Sequence, residues 1–233
     1  MATEVNAAPT VLLVHGAWHG EWCWEKLSPE LVSLGWQVET VALPSASADD
    51  QNDAGMYDDA RVIRERLRAL DGPVVVVGHS YGAIPVTEAA AGFLHVSRLI
   101  YLSAFMLDVG DSIDSLGGGN ISASSAATLS AHGHYEDPKA AFYADVAAPD
   151  AEGAVGRLVL QSAKSFCEPL TEAAWTAIPS SYVITDKDAA LDVGFQAAMS
   201  QRAQRTYHLD SGHSSFLSMP AELARLIDRD AKD

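Results

Sequence analysis

Short apolar runs alternate along this chain with segments whose apolar residues recur at helical spacing. Runs without polar alternation, such as residues 11–14 and 74–77, are typical of strands covered on both faces, as in a parallel sheet. The pattern predicts strands at residues 11–14, 38–43, 74–77, 98–104, 181–185 and 206–209, and helices at residues 22–34, 58–70, 81–92, 194–203 and 215–229. Strands that alternate with helices in this way predict an α/β fold with a mostly parallel sheet and helices on both faces.

This alternation is interrupted between residues 108 and 177. Residues 117–119 are three glycines, and the Ser/Ala-rich run up to residue 131 favours loop and short helix over strand. The polar residues 46–55 likewise predict a loop without a strand. We expect residues 108–177, called here the inserted segment, to form a small cap on a core made of residues 1–107 and 178–233.

Residues 74–82 read V-V-V-V-G-H-S-Y-G and join a predicted buried strand to Ser80 in the pattern G-x-S-x-G. In a nucleophile elbow the chain turns sharply from strand into helix, so the residues on either side of the serine must be small. Gly78 and Gly82 meet this requirement. The pattern is weak by itself, but its position between a strand and a helix predicts that Ser80 is a nucleophile.

A serine hydroxyl becomes a good nucleophile when a base takes its proton, and the base is usually a histidine oriented by an acid. In strand-turn-helix enzymes with this elbow the chain order is serine, acid, histidine. His213 lies in D-S-G-H-S-S-F, directly after the last predicted strand, whereas His208 lies within that strand. His213 is therefore the predicted base.

Three aspartates could be the acid. Asp186 and Asp188 both follow the predicted strand at 181–185, and Asp108 follows the strand before the inserted segment. An aspartate in a loop is most often a solvated carboxylate or a helix cap. Spacing in the sequence does not choose among the three.

Two backbone amides are needed to stabilise the oxyanion that forms during acyl transfer, one from the residue after the serine and one from the loop after the first strand. These amides belong to Tyr81 and Ala17. Gly16 lets the backbone approach a substrate closely. Phe105 and Trp175, which border the inserted segment, are further candidates for the substrate site.

Length, charge and cysteine content narrow the possible partners. The 233 residues suit one α/β domain with an insertion, and the formal charge of −16 argues against nucleic acid or an anionic membrane as a partner. Two cysteines far apart provide no disulfide framework, and residues 1–10 lack the apolar run of a signal peptide. We expect a cytoplasmic protein without metal or cofactor that acts on a small molecule. The oligomeric state stays open, with a homodimer as one option.

Taken together, several stretches resemble the α/β-hydrolase superfamily, in the branch of plant hydroxynitrile lyases, methyl-ester esterases and their bacterial esterase relatives. The resemblance covers nearly the whole chain and is carried by V-L-L-V-H-G-A-W-H-G-E-W-C-W at 11–24, G-H-S-Y-G at 78–82, L-S-A-F-M-L-D at 102–108, F-Y-A-D-V at 142–146, I-P-S-S-Y-V-I-T-D-K-D at 178–188 and S-G-H-S at 211–214. The family's acid corresponds to the second aspartate of T-D-K-D. The resemblance therefore selects Asp188 and implies that Asp108 is a hinge residue of the cap.

Two positions distinguish the lyases of this branch from its esterases. The lyases resemble one another in having threonine after the first histidine and lysine, which is thought to stabilise departing cyanide, after the catalytic histidine. Here these positions hold Gly16 and Ser214. The resemblance therefore implies a serine esterase that acts on small carboxylic esters through an acyl-enzyme. Lyase-type chemistry on the same triad and a small-molecule receptor on the same scaffold are the alternatives.

Overall fold

The computed structural model describes residues 9–117 and 128–233. Its strands are β1 (Thr10–Val14), β2 (Gln37–Val41), β3 (Ala46–Ser47), β4 (Val74–His79), β5 (Val96–Leu102), β6 (Thr128–Leu129), β7 (Leu160–Ser162), β8 (Ser180–Thr185) and β9 (Arg205–Leu209). Its α-helices are α1 (Leu27–Ser33), α2 (Met56–Ala69), α3 (Ala83–Ala89), α4 (Ile113–Leu116), α5 (Ala131–His134), α6 (Pro138–Tyr143), α7 (Ala148–Val155), α8 (Lys164–Cys167), α9 (Val193–Ser200), α10 (Ser215–Ser218) and α11 (Pro220–Lys232). Two of the three consecutive glycines, most of the Ser/Ala-rich run and the first eight residues lie outside the described residues.

Six strands form a sheet in the order β2-β1-β4-β5-β8-β9, and every pairing in it is parallel. The predicted α/β fold and all six predicted strands are confirmed. The unbroken valine run of β4 lies between β1 and β5 and is buried along its whole length. Because parallel strands end at the same edge of a sheet, the loops that follow β1, β4, β8 and β9 meet there.

Helices cover both faces of this sheet, as the sequence predicts. Successive side chains of a strand point to opposite faces. Leu12 and Val76 therefore pack with α2 and α3 in one apolar core, whereas Leu13 and Val77 pack with α1 and α11 in a second core on the other face. Burial on both sides explains why the central strands carry no polar alternation.

Two of the predicted helices are each divided in the structure, and in both cases a proline lies in the first turn of the second part. The helix predicted at 22–34 is a 3-10 turn at Glu21–Trp24 followed by α1, whose first turn contains Pro29. The helix predicted at 215–229 is divided into α10 and α11, and α11 begins with Pro220. Proline has no N–H group for the carbonyl four residues earlier, so it fits the first turn of a helix but not its interior.

A second, three-stranded antiparallel sheet has the order β3-β7-β6. The predictions that residues 46–55 and the run up to residue 131 contain no strand are wrong, because β3 and β6 lie in them. Each of these strands has only two residues, too few for a periodic pattern to be visible in the sequence. They form because β7 lies between them. The small sheet thereby joins the inserted segment to the loop that follows β2.

In residues 9–117 and 128–233, no helix combines the length and the hydropathy needed to cross a bilayer. The same residues contain no group of three or more His, Cys, Asp or Glu side chains arranged to hold a metal ion.

The packing of β1 leads to a first prediction. Leu12 is completely buried between the sheet and its helices, so Leu12→Ala removes buried methyl groups and leaves a cavity. We expect the free energy of unfolding to fall by about 2–5 kcal/mol, measured by urea denaturation. Val32 is 57% exposed on α1, and Val32→Ala is the control, with an expected change of about 0.5 kcal/mol or less. Equal effects of the two substitutions would contradict this account of the core.

Candidate active site

Ser80 lies on the sharp turn between β4 and α3. Its φ of 52° is in the left-handed region, which costs a residue other than glycine about 1–3 kcal/mol and persists only where the surroundings enforce it. A Cβ atom at Gly78 would lie 2.6 Å from the Cα atom of Ala83, and one at Gly82 would lie 2.1 Å from the carbonyl oxygen of His15. Both positions therefore require glycine, and the predicted strand-to-helix elbow around Ser80 is confirmed.

His213 and Asp188 lie on the loops that follow β9 and β8. Nδ1 of His213 is 2.7 Å from Oδ2 of Asp188, and both side chains are buried. Asp186 instead contacts the exposed His208, with 2.7 Å between its Oδ1 and the imidazole Nδ1. Asp108 pairs with an arginine that follows α9. Of the three aspartates that spacing left open, Asp188 is the one that contacts His213 in the described residues.

The Asp188 carboxylate is surrounded by hydrogen-bond donors. Besides His213, it accepts bonds of 2.8–3.0 Å from the backbone amides of Ala190 and Leu191 and from the side chains of Thr185 and Gln196. Burial raises the pKa of Asp188, but the charge of His213 and the hydrogen bonds outweigh burial, so that this pKa lies below its ordinary value. Asp188 is therefore ionised at neutral pH and can keep the proton of a neutral imidazole on Nδ1.

His79 connects the elbow to the loop that holds His213. Its Nε2 donates to the carbonyl oxygen of His213 at 3.1 Å, and the centroids of the two rings are 4.6 Å apart. A Cβ atom at Gly16 would lie 2.9 Å from Nδ1 of His79 and 3.0 Å from the Cβ atom of Ser80. The described contacts include no hydrogen bond between the Ser80 hydroxyl and His213. Such bonds are often long in a free enzyme and shorten when substrate binds.

Three histidines beside this site are buried and neutral. Burial lowers the pKa of His15 to about 4 and that of His19 to about 3, and it holds the pKa of His79 well below its usual range. Nε2 of His15 accepts a hydrogen bond from the backbone amide of Leu43 at 3.2 Å. His15 and His79 therefore each form a hydrogen bond with a backbone group, which is typical of structural histidines.

Ala17 follows Gly16, whose potential Cβ position lies 3.0 Å from the Cβ atom of Ser80, in the loop after β1. Its carbonyl oxygen accepts a hydrogen bond from Nδ1 of His19 at 2.7 Å, and the N–H of Trp18 donates to Oε1 of Gln161 at 3.2 Å. The peptide between Ala17 and Trp18 is therefore held at both ends. The amide of Ala17 itself donates to no other group in the part of the chain that the structure describes.

The other two residues predicted to contact substrate lie in different surroundings. The backbone amide of Phe105 donates to the carbonyl oxygen of Ser80 at 3.4 Å. The ring of Phe105 packs against a phenylalanine of α9. Nε1 of Trp175 donates to the carbonyl oxygen of Leu107 at 2.8 Å. The hydrogen bond described for the Trp175 side chain involves neither Ser80 nor His213. Phe105 therefore lies beside the elbow, and Trp175 packs against the apolar core that includes Tyr81.

A buried carboxylate that the sequence analysis did not single out supports Tyr81. The Tyr81 hydroxyl donates to Oδ2 of Asp59 at 2.5 Å, and Ser45 donates to the same carboxylate through its amide at 2.9 Å and its hydroxyl at 2.5 Å. Burial raises the pKa of Asp59 to about 7, although these donors oppose that shift. Burial of Asp59 could have been predicted from the sequence, because Asp59 lies on the same face of the predicted helix as the apolar residues Ile63 and Leu67.

Three more polar residues form hydrogen bonds with the loops after β1, β8 and β9. No local sequence pattern predicts these contacts. Gln196 donates to Asp188 through Nε2, as described above, and Gln161 accepts from the Trp18 amide. Asp145 accepts a hydrogen bond from the amide of Gly212 at 2.7 Å, next to His213. Asp145 and Gln161 belong to the inserted segment. The inserted segment therefore supports both the loop after β1 and the loop after β9.

Comparison with known proteins gives a consistent picture. The sequence profile of the alpha/beta hydrolase family matches residues 11–226 of this chain. Probable hydrolase R7 of a Phoma species is 30% identical over 238 residues, which cover 94% of this chain and 96% of that protein. Methylesterase 1 of Arabidopsis thaliana is 35% identical over 104 residues, which cover 42% of this chain and 40% of that protein.

A solved structure is similar over almost the whole chain. The crystal structure of the methylesterase MES16 from Arabidopsis superposes with a TM-score of 0.78 and 26% sequence identity. The match covers 96% of this chain and 98% of that chain.

The close approach at Gly82 gives a second prediction. Gly82→Ala would place a methyl group against the backbone of the loop after β1, so the elbow or that loop must move. We expect a loss of stability of about 1–3 kcal/mol, measured by thermal or urea denaturation. Gly153 in α7 has no atom near its potential Cβ position, and Gly153→Ala is the matched control. It should instead stabilise the protein by about 0.5–1 kcal/mol.

Asp59 gives a prediction about pH. Its pKa in the folded protein, about 7, is above the ordinary value of about 3.9, so folding disfavours the ionised form. The stability that this group contributes is fully present below about pH 4 and is lost as the pH rises through about 7. We expect the free energy of unfolding of the wild type to fall more steeply between pH 5 and 8 than that of Asp59→Asn. Parallel urea-denaturation series would reveal identical slopes if Asp59 does not titrate in this range.

Proposed function

Because the chain belongs to the α/β-hydrolase family, we propose that it is a serine-dependent hydrolase of small carboxylic esters. Ser80 is the nucleophile, His213 the general base and Asp188 the group that orients the histidine. The observation that carries this proposal is the buried contact of 2.7 Å between His213 and Asp188, on loops at the sheet edge where the Ser80 elbow also lies. The names of the methylesterases to which the chain is similar support the choice of an ester as substrate.

The reaction proceeds in two balanced halves. The Ser80 hydroxyl oxygen attacks the ester carbonyl carbon while Nε2 of His213 takes its proton, which forms a tetrahedral intermediate. The bond to the alkoxy group then breaks, and His213 returns the proton to the leaving alcohol. Water next attacks the acyl-enzyme and gives a proton to His213. In the second intermediate the bond between the acyl carbon and the Ser80 oxygen breaks, and His213 returns the proton to that oxygen. The carboxylic acid is released and the serine hydroxyl is restored.

Asp188 acts throughout by holding His213. Its low pKa keeps it ionised, so it accepts the hydrogen bond from Nδ1 and stabilises the imidazolium that forms in each half-reaction. The four other donors around the carboxylate fix its position.

The backbone amides of Ala17 and Tyr81 bind the negative oxygen of each tetrahedral intermediate. Donors of this kind act in a site that excludes water, and the loss of one typically raises the barrier by about 3 kcal/mol. Gly16 supports this assignment because its missing side chain allows the loop after β1 to approach Ser80 closely. Phe105 is a candidate wall of the acyl or alcohol site, and Trp175 is a candidate at the border of the inserted segment.

The same geometry favours hydrolysis over the cleavage of cyanohydrins. The residue after His213 is Ser214, whose side chain is buried and carries no positive charge to stabilise a departing cyanide anion. A receptor without turnover would have no use for the buried pair of His213 and Asp188. We therefore keep ester hydrolysis as the function.

The inserted segment, residues 108–177, is proposed to form a cap over a core of residues 1–107 and 178–233. The hydrogen bonds that it makes to Trp18 and Gly212 support this division of roles. The protein is further proposed to act in the cytoplasm on a small molecule, without nucleic acid or membrane as a partner. The support is the formal charge of −16 and the presence of only two, widely separated cysteines in the sequence.

The nucleophile is tested with Ser80→Ala. We expect this substitution to lower kcat for short p-nitrophenyl esters by at least about 10⁴-fold, because the remaining site has no group to attack the carbonyl. A fluorophosphonate should add to the wild type and not to the variant, as read by intact mass. Ser33→Ala, at an exposed serine of α1, is the control and should leave both readouts unchanged. Full turnover by Ser80→Ala, or cyanide release from mandelonitrile without ester hydrolysis, would exclude the proposal.

The acid is tested with a matched pair of substitutions. Asp188→Asn leaves the geometry similar but permits the wrong tautomer of His213, so we expect kcat to fall by about 10⁴-fold. Asp186→Asn breaks a contact with the exposed His208 and should change kcat by less than about twofold. Steady-state kinetics of both variants decide the assignment. A larger loss in Asp186→Asn than in Asp188→Asn would reverse it.

A further inference from the structure

Trp18, the residue after Ala17, is held in an unusual backbone conformation by the inserted segment. Its φ of 62° lies in the left-handed region, which residues other than glycine rarely adopt. Its N–H donates to Oε1 of Gln161 at 3.2 Å, its carbonyl oxygen accepts from the amide of Val159 at 2.9 Å, and its indole N–H donates to the carbonyl oxygen of Leu129 at 2.7 Å. All three partners lie in the inserted segment. The conformation of the loop after β1 therefore depends on that segment.

The orientation of the Gln161 amide group follows from its neighbours. Its Nε2 lies 2.7 Å from the hydroxyl oxygens of Ser45 and Ser165. The Ser45 hydroxyl uses its hydrogen on Asp59, and the Ser165 hydroxyl uses its hydrogen on a backbone carbonyl. Both hydroxyls must therefore accept from Nε2, which uses both amide hydrogens. Oε1 is left to face the N–H of Trp18.

This contact is one end of a continuous chain of buried hydrogen bonds. The chain runs from Trp18 through Gln161 and Ser45 to Asp59, and from Asp59 to the hydroxyl of Tyr81. The three connecting side chains belong to residues with 0% exposure. The chain thus joins Trp18 to Tyr81. The proposed oxyanion donors are the amide of Tyr81 and that of Ala17, the residue before Trp18. Buried networks in which every donor has an acceptor hold their members rigidly.

Resting on the proposed function, we propose that Gln161 is a positioning residue for the oxyanion hole. Its side chain holds the peptide between Ala17 and Trp18, so that the Ala17 amide faces the elbow before substrate arrives. Gln161 does not contact the reacting atoms. Its effect is therefore expected on the transition state, where charge develops on the oxygen, and much less on the binding of the neutral ester.

The test uses Gln161→Met, which keeps a side chain of similar length but can accept no strong hydrogen bond from Trp18. With p-nitrophenyl esters, we expect kcat to fall by roughly 10- to 50-fold while KM changes by less than about threefold, since a misplaced oxyanion donor affects the chemical step. The rate constant for phosphonylation of Ser80 by a fluorophosphonate should fall by a similar factor, because that reaction also develops negative charge on an oxygen. Thermal denaturation verifies that the variant is folded.

Two further variants separate positioning from a general loosening of the inserted segment. Ser165→Ala removes one acceptor of Nε2 but leaves Ser45 and the contact with Trp18 in place, so it should lower kcat by less than Gln161→Met does. Gln161→Glu retains an acceptor oxygen of the same reach and, when protonated, also a donor. At pH 6 it should recover most of the rate lost in Gln161→Met. This variant also provides the measurement if Gln161→Met does not fold.

Three results would overturn the proposal. They are a KM that rises while kcat stays constant, a loss in Ser165→Ala as large as in Gln161→Met, and a Gln161→Glu variant no faster than Gln161→Met. The phosphonylation rate separates this inference from the choice of substrate. If the wild type is phosphonylated at Ser80 but hydrolyses no ester, the substrate class is wrong while the role of Gln161 is still measured. If the wild type is not phosphonylated, both proposals are wrong.

Discussion

The structure depends on the close approach of two backbone segments, the loop after β1 and the elbow after β4. A Cβ atom at Gly82 would lie 2.1 Å from the carbonyl oxygen of His15, and one at Gly16 would lie 3.0 Å from the Cβ atom of Ser80. Glycine at both positions allows this approach, and the strained φ of Ser80 is one of its costs. The parallel sheet makes the approach possible because β1 and β4 are neighbours that end at the same edge.

Two buried aspartates, Asp188 and Asp59, have opposite net shifts of their pKa values. Asp188 is ionised because a histidine and four other donors surround its carboxylate, and they outweigh the cost of removing it from water. Among the residues that the structure describes, Asp59 has donors only from Ser45 and Tyr81, and burial raises its pKa to about 7. The difference suits their positions. Asp188 faces the imidazole of His213, whose proposed role requires a positive charge, whereas Asp59 faces uncharged hydroxyl and amide groups.

The inserted segment forms hydrogen bonds with the loops after β1 and β9 at the edge of the sheet. It bonds all three polar groups of Trp18, and Asp145 bonds the amide of Gly212 beside His213. Its strand β7 pairs with β3 of the loop after β2. Substitutions in this segment can therefore change the geometry of the loop after β1, which carries one of the proposed oxyanion donors.

The sequence by itself determined the six parallel strands, the elbow at Ser80 and the place of His213 after the last strand. The valine run and the pair of glycines that flank the serine are visible within a few residues. The order of strands and helices can be read directly along the chain. Spacing left Asp186, Asp188 and Asp108 open, and family resemblance was needed to select Asp188.

Only the tertiary structure decided which aspartate contacts His213, that Asp59 and Gln161 connect Tyr81 with Trp18, and that β3, β6 and β7 form a sheet. It also decided that the indole N–H of Trp175 donates to the carbonyl oxygen of Leu107. Each of these outcomes joins residues far apart in the chain, or strands of two or three residues. Periodicity carries no information about such contacts, because they are fixed by the packing of whole elements against one another.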